Sequence, residues 1–300
     1  DGTSNNDSVY SQNINNVTDL IITNYWDQIL DFTGLEGFTS LDYFKTENQY
    51  NYSSLDFSSL TTLTKIELSY PNNLSSINLN GLNLLDTLDI NASVLTSIDL
   101  STNTSLSKLR IFDNHYLTSL DVTNCLLLKD LHCSENDLVS TLDLSNNTLL
   151  SKLDCQRMNL SSLDLSSNTS LVNLDCEGQY ANLTSLDLSN NILLETISCS
   201  NSSLSNLDLR NIPTANIYQL LCNNNSLLCI NVEDSVIAEQ YNSHSVNWNL
   251  PISQSNPQWN LTSSNFFSYD CNSLAKVYIA DNGFENRLEQ LDLGDGIVNN

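Results

Sequence analysis

Leu and Ile recur along this chain in short phrases where apolar and polar residues alternate, and the phrases themselves return at a fixed period. The unit is clearest in residues 150–170, LSKLDCQRMNLSSLDLSSNTS, which holds one LDC phrase and one LDL phrase. One series starts its phrases at Ile66, Leu88, Leu109, Leu131, Leu153, Leu174, Ile197 and Leu220. The other starts them at Leu55, Ile77, Ile98, Leu120, Leu142, Leu163, Leu186, Leu207 and Ile230, and each series advances by 21 to 23 residues. Leu163 and Leu165 alternate with Ser162 and Asp164, a period of two that predicts a strand with its Leu side chains inward. The pattern therefore predicts a repeat solenoid with two short parallel strands per coil on opposite sides, built mostly of β-structure and loop. At about 4.8 Å per strand, eight coils make a rod about 38 Å long.

Asn residues recur just beyond the phrases. Asn114 and Asn136 follow the first series, and Asn103, Asn147, Asn168 and Asn191 follow the second, where Cys125 takes one place. Stacked coil on coil, such side chains are expected to hydrogen-bond the backbone of each turn, which burial would otherwise leave unpaired. The segment 150–160 fits LxxLxLxxNxL, with Cys155 at the third apolar site and Met158 where Asn is usual.

These residues resemble the leucine-rich repeats, and the nested form LxxLxLxxNxLxxLDLxxNxx is similar to that of bacterial surface proteins of flavobacterial type. The resemblance covers roughly Leu55 to Val232, and it implies a leucine-rich repeat fold and a binding rather than a catalytic role. Residues 1–54 are then an N-terminal linker with irregular first coils, 55–232 the solenoid, 233–276 a C-terminal cap and 277–300 a junction. In the cap, LLCINVEDS followed by a Trp-containing stretch and SYDC is similar to the cap of flavobacterial leucine-rich repeat proteins, which implies a bridge between Cys229 and Cys271. The junction reads as a strand and a small helix over 282–291, with Phe284, Leu288 and Leu291 on one face. In the resembling proteins such a segment opens a domain. Residues 1–6, DGTSNN, and 295–300, DGIVNN, match at four of six positions, so the expectation is one period of a tandem array.

Composition narrows the function. Lys and Arg total 10 against 35 Asp and Glu, a formal net charge of −25 that excludes a general partner for nucleic acid or anionic membrane. No run of 18 apolar residues is present to insert directly into a membrane. The expected location is extracellular, at a cell surface. Cys133, Cys155, Cys176, Cys199 and Cys222 share one inward site and should form a column. Parallel side chains would hold their Cβ atoms about 4.8 Å apart, beyond the usual disulfide span, so buried thiols are expected. Ligands in one column cannot surround zinc tetrahedrally.

No catalytic constellation is visible, since His115, His132 and His244 are not paired with a placed nucleophile or carboxylate motif. Asp56, Asp99, Asp121, Asp143, Asp164, Asp187 and Asp208 should form an outward column, either solvated by Ser and Thr neighbours or binding calcium weakly; no cofactor is otherwise expected. The basic residues gather on the first series. Lys65, Lys108, Arg110, Lys129, His132, Lys152 and Arg157 are the candidate binding residues, on the face that the resemblance makes concave. Lys108, Asp130 and Lys152 occupy the same place in successive coils, so the same residues also fit a ladder of alternating charge. Two readings stay open. The chain is either an adhesion or recognition module meeting a glycan or protein, or a structural repeat whose partners are neighbouring copies in an array or filament.

Overall fold

The computed structural model describes residues 14–23, 32–48, 51–179, 183–227, 229–233, 258–260 and 266–268. Among them the strands are, in chain order, β1 (Asp19–Ile22), β2 (Tyr43–Glu47), β3 (Ser54–Asp56), β4 (Lys65–Ser69), β5 (Ser76–Asn78), β6 (Thr87–Asn91), β7 (Lys108–Arg110) and β8 (Asp130–His132). There follow β9 (Lys152–Asp154), β10 (Asn173–Asp175), β11 (Thr196–Ser198), β12 (Leu207–Leu209), β13 (Gln219–Leu221), β14 (Cys229–Val232), β15 (Gln258–Asn260) and β16 (Phe266–Ser268). The first series builds one parallel sheet of 11 strands, ordered β1-β2-β4-β6-β7-β8-β9-β10-β11-β13-β15. The chain is the expected parallel solenoid, with only short turns of 3-10 helix at Leu35–Gly37 and Thr214–Asn216 among the described residues.

Register follows the sequence period. Phe44, Ile66, Leu88 and Leu109 pair in line, as do Leu131, Leu153, Leu174, Ile197 and Leu220, and all are buried. Two residues further on, Leu68, Ile90, Ile111, Cys133, Cys155, Cys176, Cys199 and Cys222 are each fully buried. The thiols thus continue an aliphatic row, and the six cysteines whose side chains are described, Cys125 among them, are free. Burial raises every one of them above the ordinary thiol range, Cys222 to about 12 and Cys125 to about 11. Thiolate is the reactive form, so these groups are chemically quiet.

The second series behaves differently at its ends and its middle. It forms the pair β3-β5 and the sheet β12-β14-β16, whereas between Ile98 and Leu188 its phrases keep their inward Leu but carry no assigned strand. The difference follows one position in these coils, except that the coil of Cys125 has neither amide nor strand. Where it holds Asn, the amide crosses between coils: Asn147 donates to the carbonyls of Val122 and Cys125, Asn168 to those of Leu144 and Asn147, and Asn191 to those of Leu165 and Asn168, at 2.9 to 3.1 Å. Where Leu60, Leu82 or Ile212 stands instead, no such amide exists and backbone ladders join the coils.

A feature the pattern did not announce is a left-handed corner after each large-sheet strand from β2 to β13. Tyr70, Ala92, Asp113, Glu135 and Arg157 have φ between 48° and 59°, and Asn48, Asn201 and Asn224 share the conformation. The corner turns the chain while keeping its N–H in the ladder, as when Ala92 donates to Phe112, Asp113 to Ser134 and Glu135 to Gln156. L-residues with side chains pay about 1 to 2 kcal/mol to sit there.

The expected helix at 282–291 and most of the expected cap at 233–276 lie outside the described residues. Within that cap, β15 pairs with β13 and β16 with β14, adding one strand to each sheet.

Two outcomes are expected. Asn168→Ala strips two buried carbonyls of their donor and should lower unfolding free energy by roughly 2 to 4 kcal/mol in denaturant titrations. Ala92→Gly relieves a left-handed alanine and should raise it by up to about 1 kcal/mol. A destabilised Ala92→Gly would show that the corner carries no strain.

Candidate functional site

The outward side chains of the large sheet form rows set by strand register. One row runs Tyr43, Lys65, Thr87, Lys108, Asp130, Lys152, Asn173, Thr196, Gln219, and the next Lys45, Glu67, Asp89, Arg110, His132, Asp154, Asp175, Ser198, Leu221. The alternating ladder is present in register, and one of its two contacts is an ion pair, Lys108 to Asp130 at 3.4 Å. Lys65 is engaged two coils before Lys108, 2.8 Å from Glu67 and over the Tyr43 ring at 4.6 Å. Arg110 lies 3.3 Å from Asp89 and against the Phe112 ring at 5.5 Å. Phe112 in turn stacks on His132 with centroids 4.5 Å apart.

His132 is held by Ser134 Oγ at 2.7 Å and Asp154 Oδ2 at 3.2 Å. Burial holds its imidazole below the ordinary range, against the opposing pull of Asp154. Asp175 is pushed the other way, to about 6, first by burial and then by the charges of Asp154 and Glu177, with Gln156 Nε2 donating to it at 2.8 Å.

These residues surround a depression of about 320 Å³. Of the candidates, Arg110, His132 and Lys152 line it; Lys65, Lys108, Lys129 and Arg157 do not. Lys129 stands one residue before β8, and Arg157 sits at a left-handed corner, 3.0 Å from Glu135. Sequence reasoning weighed the bases and passed over Asp154, Asp175, Asn173, Thr196 and Ser198, which also line it. A signal for Asp175 was available: no Lys or Arg occurs between Arg157 and Arg210, so acids in that span lack a local counterion.

The opposite side is simpler. Asp99, Asp121, Asp143 and Asp164 each accept a hydrogen bond at 2.9 Å from the backbone N–H two residues on. The Ser or Thr hydroxyl there, with that N–H, holds each carboxyl below its usual range. Among the described residues no group of three His, Cys, Asp or Glu could hold a metal ion. Cys271, the expected partner of Cys229, lies outside the described residues.

No family model and no curated protein matches this sequence. Solved structures do. The functional domain of InlJ from Listeria monocytogenes, which includes a cysteine ladder, is 30% identical with a TM-score of 0.57 and is matched over 74% of this chain and 52% of its own. This chain thus spans about half the length of that domain. The leucine-rich repeat domain of APL1B matches at 20% identity and a TM-score of 0.48 over 88% of this chain and 73% of its own, and an internalin, InlF, of the same Listeria species at 16% and 0.46 over 97% and 90%. The chain has the leucine-rich repeat fold, and the InlJ domain that it is similar to includes a cysteine ladder.

The two carboxylate sets titrate with opposite sign. For the Asp99 to Asp164 series the folded pKa is lowered, so the stability they add is present above the unfolded value near ~3.9 and lost as pH falls through the folded ones. Asp175 is raised, so its charge costs stability above about pH 6 and that cost disappears as pH falls toward ~3.9. Asp175→Asn should therefore stabilise by on the order of 1 to 2 kcal/mol at pH 7.5, a gain that shrinks to nothing near pH 4 in thermal melts. A loss of stability at pH 7.5 would count against the desolvated carboxylate.

Proposed function

We propose that this chain is a non-catalytic, extracellular recognition module of a larger cell-surface protein, and that it meets a protein or glycan ligand through the outward face of its large sheet. One observation carries this reading. The depression gathers unlike charges from β7 to β11 and leaves some of them without a partner, an arrangement that costs stability and gives the fold nothing in return. A surface serving only as scaffold would follow the pattern of the opposite side, where each carboxylate of the Asp99 to Asp187 series is satisfied within its own turn. Likeness to the InlJ domain and the charge of −25 support a surface location.

The second reading is a structural repeat of a filament or stalk, with neighbouring copies as partners. The match between residues 1–6 and 295–300 favours it.

A printed array of glycans and extracellular protein domains separates the two. Lys108→Glu with Lys152→Glu should lose the ligands that the parent retains, while Asp143→Lys with Asp164→Lys, on the opposite side, should keep them. Equal behaviour of both pairs would leave the structural repeat as the better account.

A further inference from the structure

The outward face changes character along the solenoid, and the depression sits at the change. Arg110 on β7 and Lys152 on β9 flank Asp130, which is already paired with Lys108 at 3.4 Å, while Asp154 and Asp175 follow on β9 and β10. Beyond Arg157 no base follows until Arg210. Among the described residues neither Lys152 nor Asp175 has an ion-pair partner, and Asp154 faces His132, whose imidazole burial holds below the ordinary range. Lys152 is in register with Asn173, so Asp175 lies one strand across and two residues along. That offset is about 8 Å, from about 4.8 Å between strands and about 6.8 Å along one.

The remaining lining is chosen for hydrogen bonding rather than for stacking. Asn173, Thr196, Ser198 and Gln219 offer amides and hydroxyls, and no Phe, Tyr or Trp contributes. Sugar rings are commonly held on aromatic faces, and the one aromatic lining side chain, His132, already has a face on Phe112. An extended peptide needs no such platform. It offers N–H and C=O groups to amides and hydroxyls, and it places side chains i and i+2 on one side about 6.8 Å apart.

We propose that the depression binds an extended polypeptide segment bearing one acidic and one basic side chain two positions apart, the carboxylate on Lys152 and Arg110 and the ammonium or guanidinium between Asp154 and Asp175. The inference rests on the recognition reading above and narrows its ligand to a protein segment. A cation delivered there supplies the counterion that Asp175 lacks, offsetting the cost that burial and its two like-charged neighbours impose. The opposed charges also fix the direction in which the segment lies. Orientation follows from charge order.

Calorimetric titration with the blocked peptide acetyl-Gly-Glu-Gly-Lys-Gly-amide, at low and at physiological salt, tests it. Because the whole chain is acidic, the decisive comparison is between two doubly substituted proteins with the same change of charge. Asp154→Asn with Asp175→Asn should weaken binding about tenfold or more, and Asp164→Asn with Asp187→Asn by less than about twofold. Lys152→Gln should abolish the preference for this peptide over its Glu-to-Gln analogue. Thermal melts of each protein confirm that it is folded before it is titrated. Equal weakening in both doubles would overturn the proposal in favour of attraction by net charge alone, and so would absence of binding at millimolar peptide. Binding of a chito-oligosaccharide instead, lost in Asp175→Asn, would overturn it in favour of a glycan. All three outcomes leave the recognition reading standing, because that reading fails only if the array ignores the large-sheet face.

Discussion

A coil of 21 to 23 residues closes only if the backbone at its turns, buried against the next coil, finds hydrogen-bond partners. Everything else in this molecule depends on that requirement. The chain meets it in three ways: a continuous parallel ladder on the large sheet, amide side chains crossing between coils opposite, and left-handed corners that keep an extra N–H in the ladder. In the second series the amide and the ladder alternate: coils with Asn147, Asn168 or Asn191 lack strands, coils with Leu60, Leu82 or Ile212 have them, and the coil of Cys125 has neither. The inward Leu rows stay the same throughout.

This division of labour explains why the two faces differ in what they can do. On the large sheet the ladder, with the amides of Asn114, Asn136 and Asn225 at the turns beyond it, holds the backbone, so outward side chains are released from structural duty and can vary: Tyr43, Lys65, Thr87, Lys108 and Asp130 share one row. Opposite, the outward Asp is tied to the turn that follows it, and Asp99, Asp121, Asp143, Asp164 and Asp187 repeat almost without change. A varied row can carry recognition. A repeated one records a local structural need.

The repeat, the inward rows, the thiol column and the Asn amides were all legible in the sequence, because each follows from spacing alone. Register then put Lys108 beside Asp130 and Arg110 beside His132. The left-handed corners were hidden, since Tyr70, Ala92 and Glu135 are residue types that ordinarily avoid that conformation, although Gly178 and Asn48, Asn201 and Asn224, at the same place in their coils, pointed to it. The acidic half of the depression was hidden for another reason. A carboxylate such as Asp175 is one of many in an acidic chain, and what sets it apart is how deeply it is buried and which charges are missing around it, quantities that a linear pattern does not contain.

Asp175 also shows how such a protein can hold an unfavourable group in place. In a solenoid each coil contacts chiefly its neighbours, so a local cost falls on a few interfaces rather than on one shared core. The coils on either side of Asp175 are among the best secured: Cys155, Cys176 and Cys199 fill the inward row without a polar group needing a partner, Asn168 and Asn191 bond the turns opposite, and Gln156 reaches across to the carboxylate itself. Thiols suit this role. They are small enough to stack at coil spacing, and burial keeps them protonated and unreactive. A desolvated carboxylate held on a rigid, register-locked strand keeps its position relative to Lys152 whether or not a ligand is present, so little further ordering is needed on binding. If the proposed segment binds there, the stability given up at Asp175 is the physical counterpart of that preformed site.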